Sequence, residues 1–171
     1  MIEQLRNRRS VRLYTDEPVE QEKVEVLREA ALRSPTSRNK MAWKFWFIQD
    51  REILKKLARS KSSGSIPVGR APLGVVVGAD SSLTDVWVED CSIASIIIQL
   101  TAQSLGLGSC WIQIRNRERK GGESSESYVK DLIGSDSDDI RIESIISIGY
   151  SKENKSPVER EDLPDNAVYF I

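Results

Sequence analysis

Between Thr84 and Leu105 the chain carries one long apolar stretch, and Ile93, Ile96, Ile97, Ile98 and Leu100 leave it apolar around most of its girth as a helix. A helix on a protein surface shows an apolar stripe and a polar face. One that is apolar all round has to be enclosed. The rest of the chain must therefore wrap this segment, or a partner subunit must cover it. Gly106-Leu107-Gly108 closes the stretch, as glycine after a helix does.

The flanking sequence supplies the material for that enclosure. Val24, Leu27 and Ala31 recur at helical spacing within Val19 to Leu32, and Ser34-Pro35 stops the helix. Trp43 to Ile48 reads as a strand, Arg51 to Ala58 as a short helix, and Ser60 to Arg70 as a mobile loop rich in Ser, Gly and basic residues. Leu73 to Val77 is a buried strand, Ser109 to Ile114 a strand, Arg115 to Glu126 a charged loop, Tyr128 to Ile133 a short helix and Ile142 to Tyr150 a strand. A polar tail from Ser151 ends in Val168-Tyr169-Phe170-Ile171, an arm suited to docking on something. There is no internal repeat, and residues 1–171 are expected to form a single domain.

Composition removes whole classes of chemistry. The chain has no histidine, which excludes His-based triads, imidazole zinc sites and imidazole bases. Cys91 and Cys110 lie far apart in apolar surroundings and read as buried free thiols of a reducing compartment. Asp85, Glu89 and Asp90 complement the positive end of the long helix rather than hold a metal, so no metal is expected. No apolar run is long enough to span a bilayer, and the N-terminus lacks the apolar core of a signal peptide. A cytoplasmic protein without membrane contact is the expectation. Net charge is −1, which lacks the broad positive field of a nucleic-acid binder.

Against that balanced charge, Arg8-Arg9-Ser10-Val11-Arg12 places three guanidiniums and a hydroxyl within five residues. Guanidinium forks suit phosphate oxygens, so the cluster fits one small phosphorylated molecule. The bland alternative is a solvated basic patch. Pro35-Thr36-Ser37-Arg38-Asn39 collects hydroxyls, an amide and exposed backbone in a loop, which alone is an ordinary turn. Gly106-x-Gly108 is not a Rossmann fingerprint, because Trp111 stands where the third glycine belongs and the order is helix, turn, strand.

Taken in order, these landmarks resemble the nitroreductase family of FMN-dependent oxidoreductases. Arg8-Arg9-Ser10-Val11-Arg12 is similar to the family's opening R-R-S-x-R. The segment from Ser34-Pro35-Thr36 through Asn39 to Trp43-Lys44-Phe45 is similar to its S-P-S-x-x-N-x-Q-P-W-x-F. Gly106-Leu107-Gly108-Ser109-Cys110-Trp111 matches the G-L-G-S-C-W of small members, and Ile148-Gly149-Tyr150 with Pro157 and Arg160 its closing I-G-Y-P…P-x-R. Met41-Ala42 departs from Gln-Pro, and Ser151 from Pro. The short link from Val77 to the long helix leaves little room for a helical lid, and the Arg115 to Glu126 loop is expected to rim the pocket instead.

The resemblance implies an α+β fold: a central mixed or antiparallel sheet flanked by helices, dimeric, with the long central helix at the interface. It implies a homodimer with two FMN sites. Arg8, Ser10 and Arg160 would hold the FMN phosphate, and Arg9 and Arg12 would reach the ribityl chain and ring. Pro35, Thr36, Ser37 and Asn39 would line the ribityl and pyrimidine side, Ser37 and Asn39 from the partner subunit. The backbone of Trp111, Ile112 and Gln113 would pass over the flavin, with the Gln113 N–H near N5. The implied reaction is a two-step, ping-pong transfer from NADH or NADPH through FMN to a nitroaromatic, quinone or similar small acceptor. No side chain need be catalytic, because the cofactor carries the chemistry and solvent supplies protons. Two alternatives stand beside it: a non-catalytic flavin-binding or sensor protein, and a specialised relative of the reductive dehalogenase or flavin-fragmenting kind.

Overall fold

The computed structural model describes residues 1–171. Its helices are α1 (Ile2–Asn7), α2 (Gln21–Leu32), α3 (Arg51–Leu57), α4 (Ile66–Arg70), α5 (Trp87–Ser104) and α6 (Ser125–Ile133), and its strands are β1 (Trp43–Ile48), β2 (Leu73–Asp80), β3 (Gly108–Gln113) and β4 (Ile140–Gly149). The strands form one antiparallel sheet in the order β1-β2-β4-β3. The mixed-sheet alternative thus reduces to a single parallel bridge outside the strands, Ser10 to Ser109.

Side-chain alternation divides the sheet between two cores. Leu73, Val75, Val77 and Ala79 of β2 pack with Ile146, Ile148, Leu27, Ala31, Cys91 and Ile98 towards α2 and α5. Val76, Ile145, Cys110 and Ile112 face the other way, against Leu54, Leu57, Val68 and Val129 of α3, α4 and α6. A strand covered on both faces reads as a continuous apolar run, which is why β2 is Val-rich without alternation.

Helix α5 is enclosed on one side only. Asp90, Ser95 and Gln99 are buried along with Cys91, Ala94 and Ile98, while Ile93 and Ile96 are exposed at 40% and 37%. The usual polarity of a surface helix is thereby inverted, and an apolar ridge faces outward. The helix ends in a Schellman motif: Gly106 takes φ +76°, Leu107 N–H donates to Ala102 O at 2.9 Å and Gly106 N–H to Gln103 O at 3.2 Å.

Several boundaries correct the sequence reading: α5 begins at Trp87 instead of Thr84, α2 at Gln21 instead of Val19, and β4 spans Ile140–Gly149 instead of Ile142–Tyr150. The Ser60–Arg70 loop contains α4, whose Pro67 and Val68 are buried. Proline suits a first helical turn, and Val68 supplies one apolar anchor for a helix too short to show a period. Helix α6 begins at Ser125 instead of Tyr128, because the Ser124 hydroxyl caps the Ser127 N–H. Strand β2 runs on past Val77 to Asp80 through a register shift between Val77 and Gly78.

Candidate functional site

The open edge of β3 organises the site. Ser109 O accepts Val11 N–H at 2.9 Å on the side away from β4, and on the other side Ile114 N–H donates to Glu143 O at 2.8 Å. In an antiparallel strand the backbone groups of alternate residues point to opposite sides. The Trp111 and Gln113 N–H groups therefore face outward, at an edge no other strand covers. The Trp111 indole N–H donates to Gln113 Oε1 at 3.0 Å, and Gln113 Nε2 donates to Arg115 O at 3.1 Å, which fixes both side chains. Ile112 points instead into the core at 1% exposure, so only its backbone is available to a ligand.

The basic segment is laid along the start of this edge. Val11 and Tyr14 are buried, and the Tyr14 hydroxyl donates to Val11 O at 2.6 Å and lies 2.8 Å from Ser147 Oγ. Burial pushes that phenol well above its usual pKa. Gly108 makes the approach possible: a Cβ there would lie 2.6 Å from Val11 Cγ2. Arg8 and Ser10 are half-buried and Arg12 is exposed.

Two residues that the sequence reading missed lock this segment. Glu153 accepts the Arg12 N–H at 2.5 Å and the Leu13 N–H at 3.3 Å, and Lys155 donates to Ser10 O at 2.5 Å while sitting 3.2 Å from Glu153. The backbone bond from Arg12, followed by the Lys155 and Leu13 contacts, lowers the Glu153 pKa. Nothing in a polar tail flagged them, since their role depends on where the tail crosses residues far away in sequence. The guanidiniums divide accordingly. Arg9 donates to Ser156 O and is spent within the chain. Those of Arg8 and Arg12 take part in no side-chain hydrogen bond or ion pair. Arg160 is exposed and paired with Asp165 at 2.9 Å, so it is not brought to the Arg8–Arg12 segment.

The second loop lies at the start of α5. Thr36 Oγ1 accepts Met41 N–H at 3.0 Å, and Ser37 N–H donates to Asp90 Oδ1 at 3.0 Å. Asp90 is 3% exposed, so it acts as an anchor for this loop and not simply as a charge at the helix end. Arg38, Asn39 and Met41 all have positive φ, at 50°, 56° and 49°. Non-glycine residues adopt that region at a cost, and strain of this kind collects where a loop must present groups in a fixed arrangement.

A buried carboxylate lies beneath. Glu143 of β4 is 2% exposed and accepts Ser92 Oγ–H from α5 at 2.7 Å. Burial raises its pKa to about 7, against the pull of Ser92 and Arg115. Both cysteines are buried free thiols, and burial raises both of their pKa values.

The strained Thr36–Asn39 loop leads into β1, at the opposite edge of the sheet, and is not brought to β3 within the chain. The open β3 edge with its outward N–H groups, bordered by the free guanidiniums of Arg8 and Arg12, is suited to an anionic ligand. Comparison with known proteins agrees with this reading. The model of the nitroreductase family matches residues 5–86 and 66–150. A structure of an FMN-dependent nitroreductase from Clostridium difficile R20291 superposes with a TM-score of 0.96 at 41% identity, covering 99% of this chain and 98% of that one. A protein of Archaeoglobus fulgidus, provisionally named an NADH dehydrogenase/NAD(P)H nitroreductase, is 33% identical over 165 residues, 94% of this chain and 91% of that protein. The NAD(P)H-dependent FMN reductase of Bacillus subtilis is 35% identical over 91 residues, 53% of this chain and 36% of that protein. The chain belongs to the nitroreductase family.

Proposed function

We propose that this protein is an FMN-dependent NAD(P)H oxidoreductase, working in the cytoplasm as a homodimer with a flavin at each side of the interface. The observation that carries the reading is the β3 edge, with two outward N–H groups and the Arg8–Arg12 segment pinned across its start. The residues present fit FMN. Arg8 and Ser10 hold the phosphate, where the neighbouring Lys155 adds a cation, and Arg160 joins them once it leaves Asp165. A charge-assisted bond to phosphate contributes about 1.5–3 kcal/mol.

When bound, FMN supplies the redox chemistry: hydride acceptance from NADH or NADPH and delivery to a nitroaromatic, quinone or similar small acceptor. The protein binds, orients and tunes. Gln113, its side chain fixed by the Trp111 and Arg115 contacts, would offer its outward backbone N–H to a bound flavin. Arg12 would supply a permanent cation beside the flavin, which would favour its reduced, negatively charged form. Pro35, Thr36, Ser37 and Asn39, aligned by Asp90, reach the flavin of the partner subunit, so each chain completes the other's site. The outward ridge of Ile93 and Ile96, and the exposed Tyr169, Phe170 and Ile171 at the tail, supply apolar surface for that association.

The test is the absorption spectrum of the purified protein, followed by anaerobic addition of NADH or NADPH and then of a nitroaromatic. A flavin spectrum that bleaches with donor and returns with acceptor is expected. A colourless protein that takes up no added FMN would overturn the reading.

A further inference from the structure

On β4, the strand next to β3, one residue is out of register and carries a carboxyl group into the core. Val77 of β2 pairs with Ser144 and Gly78 with Ile142, so Glu143 is the extra residue of a β-bulge. Gly78 permits the bulge, because a Cβ there would overlap Arg141 O. Side chains alternate along a regular strand, but here Glu143 and Ser144 both turn towards α5. Glu143 accepts the Ser92 hydroxyl at 2.7 Å, and Ser144 Oγ lies 3.3 Å from Ser95 Oγ.

The surroundings match that carboxyl poorly. It is 2% exposed, and its second oxygen, Oε2, has no hydrogen-bond partner. The α5 groups around Ser92 are acids and a thiol, Glu89, Asp90 and Cys91, and β2 offers only Val77 and Gly78 opposite the bulge. The cations nearby are engaged elsewhere. Arg115 and Arg141 each lie 5.8 Å from the centre of the Trp87 ring, and Arg141 is also paired with Glu126 at 2.7 Å. With one hydroxyl donor and no ion pair, burial favours the protonated form and brings the pKa to about 7.

The backbone ties Glu143 to the β3 edge. Glu143 O accepts both the Ile114 and the Arg115 N–H, at 2.8 and 2.9 Å. Ile114 follows Gln113, so the outward Gln113 N–H stands at most about 7 Å from that oxygen. Gln113 itself pairs with Ser144, beside Glu143. Two charges about 10 Å apart inside a protein move each other's titration by roughly one pH unit. Negative charge arriving at the β3 edge therefore draws a proton onto Glu143. Ser92 gives that proton a path: its hydroxyl touches the carboxylate, it is part-buried, and it lies one helical turn from the exposed Ile96.

Resting on the oxidoreductase reading above, we propose that Glu143 couples proton uptake to reduction of the flavin. Hydride delivered by the nicotinamide adds negative charge at the β3 edge, and the Glu143 carboxylate binds a proton from solvent through Ser92. Hydride passed on to the acceptor removes that charge, and the proton returns to solvent. Glu143 makes and breaks no bond to donor or acceptor, so its effect lies in the flavin potential and its dependence on pH.

The experiment is electrochemical reduction of flavin-loaded wild type and Glu143→Gln, with proton uptake read by a pH indicator in weak buffer and the midpoint potential followed from about pH 5 to about pH 9. Near pH 7.5 the wild type is expected to take up about half a proton more per flavin than the variant, a difference that vanishes near pH 5. The two potentials should coincide at the acid end, and the wild type's should fall below the variant's as pH rises. In infrared difference spectra, the carbonyl band of a protonated carboxyl should grow on reduction of the wild type and be missing from Glu143→Gln. Ser92→Ala keeps the carboxyl and loses the donor that favours its charged form, so its window should move to higher pH. That variant and the wild-type spectrum carry the test if Glu143→Gln does not fold. Equal proton uptake in wild type and Glu143→Gln, a wild-type carboxyl band indifferent to reduction, or an unmoved window in Ser92→Ala would each overturn the coupling and leave the flavin reading intact. A wild type that takes up no flavin would overturn the functional reading, and this inference with it.

Discussion

Arg8 and Arg12 sit four residues apart with guanidiniums free of internal partners, yet the account gives them different work. Arg8→Ala removes a phosphate contact and should weaken FMN binding by about 1.5–3 kcal/mol, read by flavin release on dilution. Arg12→Ala should keep the flavin but lower its reduction potential and slow its reduction, since a cation near the growing negative charge is lost. An unchanged or higher potential in a redox titration would contradict that placement. Glu143 makes a separate prediction about stability. Its carboxyl titrates at 4.5 in the unfolded chain and at about 7 in the folded one. Between those values the folded chain binds more protons, so stability falls as pH rises through that window and stays lower above it. Glu143→Gln keeps an acceptor for Ser92 and removes the charge. It should be more stable than the wild type at pH 8, by roughly 1–3 kcal/mol, and level with it near pH 4. Thermal melts across that range would decide, and parallel pH profiles for the two proteins would refute the assignment.

At the scale of elements, the site depends on how closely the N-terminal segment can approach β3. Gly108→Ala puts a methyl 2.6 Å from Val11 Cγ2. Circular dichroism should show the sheet intact while flavin affinity falls, because Val11 and the flanking Arg8–Arg12 segment must move together. Retained affinity would mean that the segment's placement is irrelevant to the site. How far these elements could be read in advance follows their physics. β1 was legible to the residue because its aromatic run is bounded by polar loops, and α5 was legible as a long helix from its apolar length, although its start lies three residues later than read. Helix α4 was not, since five residues cannot display a period. The residues of the basic segment and the Thr36–Asn39 loop were legible through local composition. Glu153, Lys155 and the anchoring role of Asp90 were not, because each acts on a residue more than fifty positions away. Local pattern carries no information about such contacts.

For the whole molecule, the outward isoleucines of α5 and the apolar tail end are the surfaces on which the proposed dimer would rest. Ile97 is half-buried, so a charge there would test folding as much as association. Ile96, at 37% exposure, is the better position. Ile96→Glu should leave the chain folded and cost the dimer and the flavin together, because an unpaired carboxylate would be trapped in the interface. The most direct measurement is sedimentation velocity of the wild type, recorded at protein and flavin wavelengths across a dilution series. The account predicts flavin absorbance travelling only with a species of twice the chain mass, and free flavin appearing as that species dissociates. A folded single chain that still carries FMN would contradict it.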